Sequence, residues 1–88
     1  MKLKYEFAVR EIVGEYVMVP LGEGALKFSG MISTSQTGAT LVEALKEGAT
    51  RQELLDTLLK EYEIDEATAA ADLDEFLAQL KGLNLLID

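Results

Sequence analysis

Reactive chemistry in this chain would have to come from carboxylates. There are sixteen Asp and Glu against eight Lys and Arg, with no His and no Cys. Without His, the commonest general base and the commonest transition-metal ligand are gone. Without Cys there is neither a thiol nucleophile nor a disulfide, which suits a reducing compartment. The acids bunch twice, at Asp72, Asp74 and Glu75 and at Glu61, Glu63, Asp65 and Glu66. Helical spacing scatters these groups around helices and their ends, and Asp65 and Glu66 suit a helix N-terminus electrostatically. The Asp65–Glu66 region lacks the glycine-centred twelve-residue loop of an EF-hand. Gly22, Gly24 and Gly30 lack the Lys-Ser/Thr ending and the strand–helix setting of a phosphate loop. No catalytic residue, metal ligand set or cofactor is therefore expected.

What remains is binding, and charge narrows the partner. Residues 1–44 carry five acids against four bases, and residues 45–88 carry eleven against four. The net charge of −8 thus sits almost wholly in the second half. Nucleic acid needs a basic footprint and anionic membranes attract one, so neither is an expected partner. No apolar run nears the ~20 residues that span a bilayer. The basic start Met1-Lys2-Leu3-Lys4 is followed by Glu6, Arg10 and Glu11 rather than by the apolar stretch of a signal peptide. A cytoplasmic protein is expected. Eighty-eight residues, 49% of them hydrophobic, make a single folded domain, 1–88, with a modest core.

The elements that position the binding residues can be read in order. Tyr5, Phe7, Val9 and Glu11 alternate with Glu6, Ala8, Arg10 and Ile12, which predicts a half-buried strand over 5–13. Gly14-Glu15 suits a two-residue hairpin of type II′, and residues 16–21 form the second strand, with Pro20 at a strand end or an edge. After a turn at 21–24, residues 25–33 predict a third strand with Leu26 and Phe28 facing inward and Gly30 at a bulge. The short connections make a meander over 1–33. Residues 34–88 then turn helical. Thr34 or Ser35 caps a first helix bearing Ala39, Leu41, Val42 and Leu45, and Gly48 ends it. Thr50 and Glu53 form a capping box for a second helix. Asp65 caps a third, which runs to about Gly82 with an inward stripe of Ala69, Leu73, Phe76, Leu77 and Leu80. The apolar tail 84–88 tucks back, as a short strand. The fold class is α+β, a three-stranded antiparallel sheet followed by a three-helix bundle, similar to a winged helix-turn-helix.

Several segments together resemble the PqqD family, also described as the RiPP recognition element. They are Gly14-Glu15-Tyr16-Val17-Met18-Val19-Pro20-Leu21, Thr37-Gly38-Ala39, Glu47-Gly48-Ala49-Thr50, Glu61-Tyr62-Glu63-Ile64-Asp65, Asp72-Leu73-Asp74-Glu75-Phe76-Leu77 and Gly82-Leu83-Asn84-Leu85-Leu86. Each is weak alone; their order and spacing span nearly the whole chain. The resemblance implies a non-catalytic winged-helix domain, here expected to be free-standing. Such a domain binds the leader of a ribosomally made precursor peptide and presents it to a modifying enzyme, often a radical S-adenosylmethionine enzyme. The family label includes quinone-cofactor (PQQ) biosynthesis. The leader is expected to add as a strand beside the third strand, in a groove walled by the third helix. Ala69-Ala70-Ala71 departs from the family pattern by making that wall small-sided at its N-terminal half.

Carried onto this chain, the expected peptide site runs along Leu26, Lys27, Phe28, Ser29, Gly30, Met31 and Ile32. An edge strand exposes unpaired N–H and C=O groups that an extended peptide can satisfy. Gly30 permits close backbone approach, and Met31 adapts to varied apolar side chains. Leu26, Phe28 and Ile32 also read as ordinary core. Across the groove, Ala70, Asp74, Leu77 and Lys81 flank the inward stripe, with Leu73 of the stripe beside them. Asp74 can pair with a Lys or Arg of the leader; alternatively Asp74 and Lys81 are solvated surface charges. Two other readings share the fold. A homodimer, weak or domain-swapped, or a module for a folded partner would use the same free edge. A transcription-related winged helix would need a basic recognition helix, whereas residues 65–81 hold one Lys and five acids.

Overall fold

The computed structural model describes residues 1–27 and 30–87. Phe28 and Ser29, expected in the third strand and in the peptide site, lie outside the described residues, as does Asp88. The elements are β1 (Lys2–Leu3), β2 (Phe7–Ile12), β3 (Glu15–Pro20), α1 (Glu23–Lys27), β4 (Ile32–Thr34), α2 (Gln36–Leu45), α3 (Arg51–Glu61), α4 (Glu66–Gly82) and β5 (Leu86–Ile87). The sheet β2-β3-β4 is antiparallel with β4 at one edge. The apolar tail forms β5 and pairs with β1, Lys2 opposite Ile87 and Leu3 opposite Leu86.

Register gives the sheet one buried face. Val9 and Ile32 both sit opposite Met18, and Phe7 sits opposite Pro20. Met18 is fully buried, and Phe7 and Ile32 nearly so. The helices cover this face with Leu41, Val42, Leu45, Leu54, Leu58, Leu73 and Leu80, all at 0% exposure. Every buried side chain among the described residues is apolar, so truncating one of these leucines to Ala costs about 2–5 kcal/mol.

Two elements differ from the sequence expectation. Residues 25–33 are not one strand: Ala25, Leu26 and Lys27 belong to α1, and only Ile32 and Ser33 of that stretch are in a strand. Short apolar runs do not distinguish strand from helix, and tertiary contact decides here. Gly24 is buried so tightly that a Cβ would stand 2.7 Å from Tyr5 Cβ. Its N–H donates to Leu21 O and that of Ala25 to Gly22 O. These turns coil the chain and leave Leu26 87% exposed instead of inward. The hairpin turn is also shifted. Val13 and Gly14 both have positive φ, 50° and 80°, between paired Ile12 and Glu15. That is a type I′ turn, whose twist matches the strands, rather than II′ at Gly14-Glu15. The last helix, α4, ends at Gly82 as expected, and Asn84 closes it. Asn84 takes the left-handed conformation (φ 58°), with Leu85 N donating to Leu80 O and Asn84 N to Lys81 O. This Schellman closure also drives Leu85 into the core.

The helix starts follow the capping residues. Ser35 Oγ accepts from Gly38 N, Thr50 and Glu53 form a reciprocal box, and Asp65 Oδ1 accepts from Thr68 N at 2.8 Å. Hydrogen bonds to their carboxylates hold Glu53 and Asp65 below their ordinary pKa values. The stabilisation from these groups is therefore present above the unfolded values near ~4 and is lost as pH falls through the lower folded values. Asn also caps but does not titrate. In urea melts from pH 6 down to pH 3, Asp65→Asn is expected to lose less stability on acidification than the unaltered chain. At the hairpin, a β-branched residue in the left-handed region is strained by about 1–2 kcal/mol, and Val13 is 98% exposed, so no packing compensates. Val13→Asn is expected to raise the urea midpoint at unchanged slope, by about 1 kcal/mol in stability.

Candidate functional site

The site is built where β4 ends and α2 begins. Ser35 is extended and caps α2, so the chain passes from strand to helix with no intervening loop. Gly38 lies in the first turn of α2 and is buried. A Cβ there would run into Thr34 Oγ1 and stand 3.2 Å from Phe76 Cε1. The missing side chain thus lets α2, the last residue of β4 and the Phe76 ring of α4 meet. The Tyr62 hydroxyl reinforces the start of α2, donating to Gln36 O at 3.2 Å and sharing a 2.7 Å hydrogen bond with Thr40 Oγ1.

Beside this junction lies a trench of about 520 Å³, with β4 and the start of α2 on one side and Asp72, Glu75, Phe76 and Gln79 of α4 on the other. A second depression of about 410 Å³ shares Ser33, Thr34 and Ser35 and carries the hollow on to Gly14, Glu15 and Tyr16 of the hairpin. Together they form an elongated hollow beside a sheet edge, the shape an extended chain requires rather than a compact molecule. Among the described residues, no group of His, Cys, Asp or Glu could hold a metal ion.

The structure distributes the sequence-nominated residues unevenly. Met31 (61% exposed) leads into the β4 edge, and Gly30 precedes it with φ 94°. Ile32 begins β4 with its side chain in the core. Leu26 and Lys27 belong to α1, apart from that strand. On α4, Asp74 of the nominated shoulder faces α3. Asp74 accepts two hydrogen bonds from Arg51, 2.9 Å from Nε and 3.0 Å from Nη2. This contact holds the Asp74 carboxyl below its usual range. Leu77 and Leu73 are buried in the core, Ala70 packs against it and Lys81 is exposed. An inward stripe has two shoulders, and helical periodicity does not say which neighbour each one meets. Asp72, Glu75 and Gln79, which the sequence reading does not nominate, line the trench together with Phe76 of the core stripe. The available signal was Gly38, because a glycine inside a helical pattern marks close packing against something.

Adding a methyl at Gly38 crowds Thr34 and Phe76. Gly38→Ala is expected to cost about 1–3 kcal/mol in a denaturant melt. In a Thr34→Ala background the same change is expected to cost less, since one of the two obstructing atoms has been removed.

The chain matches the family described as Coenzyme PQQ synthesis protein D (PqqD) over residues 15–86. Two solved structures share the fold. TbiB1 in complex with the TbiA(beta) leader peptide is 26% identical, with 100% of both chains covered and a TM-score of 0.69. Lasso peptide synthetase B1 complexed with the leader peptide is 21% identical, covering 99% of this chain and 96% of that one, with a TM-score of 0.66, a likeness of fold. No curated protein is significantly similar to the chain. The family match runs from the start of β3 into β5 and includes both walls of the trench; the chain belongs to the PqqD family.

Proposed function

We propose that this chain binds the leader segment of a ribosomally made precursor peptide and presents it to a modifying enzyme, such as a radical S-adenosylmethionine enzyme. The leader joins the sheet as a strand beside β4 and rests against α4. One observation carries this reading: β4 is the outer strand of its sheet and borders an open trench walled by α4. The chain itself performs no catalytic step in this scheme, and its place is the cytoplasm. None of the described helices is long and apolar enough to cross a membrane. Support comes from TbiB1, a relative in fold and sequence that was solved with a leader peptide.

Strand addition supplies main-chain hydrogen bonds, and side-chain pockets supply selectivity. Within the chain, Met31, Ile32, Ser33 and Thr34 offer the edge, while Phe76 offers apolar contact. Asp72, Glu75 and Gln79 offer polar contact. Ordering a flexible leader offsets about 2–5 kcal/mol of the contact energy. A net of about 8 kcal/mol corresponds to micromolar binding, which suits reversible hand-over.

Titrating a cognate leader into isotopically labelled protein is expected to move the amides of residues 31–34 and 72–79 with a micromolar Kd. Amides of β2, at the opposite edge, should stay in place. Shifts confined to β2, or a doubling of mass by light scattering without peptide, would instead favour pairing between copies of the chain.

A further inference from the structure

We infer that the peptide accepted in this trench is basic, carrying a Lys or Arg at the position that lies against Asp72 and Glu75. This rests on the groove reading above and names the chemical class of its occupant. The two depressions along β4 are bordered by Glu15, Asp72 and Glu75 and by no Lys or Arg. Asp72 and Glu75 stand one helical turn apart, with Phe76 beside them. Neither has a basic partner among the described residues. Asp74, between them in sequence, has its cation already: Arg51 holds it from the α3 side. Asp72 is half-buried, Glu75 is exposed and Phe76 is 6% exposed. Both carboxylates border the trench, and at half-buried Asp72 screening is weaker than in open water.

A lysine or arginine of the guest fits this wall along its whole length. Its methylene stem can lie on the apolar surface at Phe76 while the charged head reaches Asp72 or Glu75. An acidic residue at the same position would face the like charges of Asp72 and Glu75 on α4, and the chain's net charge of −8 would add to the repulsion. Steering by that field also speeds the approach of a basic segment over an acidic one. The contribution is thus to selection as well as to affinity.

A random 15-residue peptide library displayed on yeast, selected against the full chain, tests this. Enriched peptides are expected to share a Lys or Arg at constant spacing from an apolar residue and to shift the amides of 31–34 and 72–79. The double variant D72N/E75Q should bind them about fivefold more weakly in low salt, with the difference shrinking in 0.5 M salt, about the range expected of partly exposed ion pairs. The control E61Q/E63Q makes the same change in net charge away from the trench and should bind as the unaltered chain does. Peptides that shift those amides yet carry no basic residue, or that bind D72N/E75Q equally well, overturn the inference while leaving the groove reading intact. Failure to enrich any peptide, or shifts elsewhere on the chain, would overturn both.

Discussion

The close meeting of Gly38, Thr34 and Phe76 is the contact on which the site's geometry depends. Among the described residues the sheet has three strands, and β4 contributes three residues. Such a small sheet cannot by itself place a seventeen-residue helix beside its edge. The missing Cβ at Gly38 does so by letting the start of α2 approach both the end of β4 and the Phe76 ring. Protein interiors are packed to crystal density, so a displacement at this point cannot be absorbed locally. It would push α4 outward and change the width of the trench. Bidentate pairing of Arg51 with Asp74 and the Tyr62 bonds to α2 hold the other sides of the same helices.

An open edge invites unwanted pairing, and proteins ordinarily blunt such edges. The chain does this by keeping β4 to Ile32–Thr34 and by preceding it with a positive-φ glycine. The opposite edge, β2, bears Arg10 and Glu11. A three-residue ladder gives few main-chain hydrogen bonds. Under the proposed function, selection falls to side chains along the wall, where Asp72, Glu75 and Gln79 stand. In the proposed reading, the shape of the trench and its charges work together: weak backbone capture is made specific by a charged, partly apolar flank.

Much of the scaffold was legible from residues alone. Caps at Ser35, Thr50 and Asp65 mark three helix starts because their side-chain oxygens meet orphan N–H groups that any helix must expose. The leucine stripes predict which helix faces are buried, and the alternation in β2 with the short turn at Gly14 predicts that β2 pairs with β3. The family resemblance read in six short segments agrees with the match over 15–86. Errors fell where local pattern is ambiguous. Ala25-Leu26-Lys27 reads equally as strand or helix, and its coil depends on Gly24 packing against Tyr5, a residue far earlier in the chain. The I′ turn at Val13-Gly14 places a β-branched residue where its intrinsic preference opposes it, and hairpin twist overrides that preference.

For the site, sequence determined the materials: a strand edge before the first long helix, an acidic final helix, and neither His nor Cys to suggest catalysis. Those follow from residue type and from interactions over a few positions. Tertiary structure alone decided which shoulder of α4 borders the edge. Asp72 and Asp74 are two residues apart and chemically identical, yet one faces the trench and the other an arginine of α3. Helical periodicity reports the angle between side chains around one axis. The azimuth of that axis against its neighbours is set by packing between residues such as Gly38 and Phe76, which are distant in sequence.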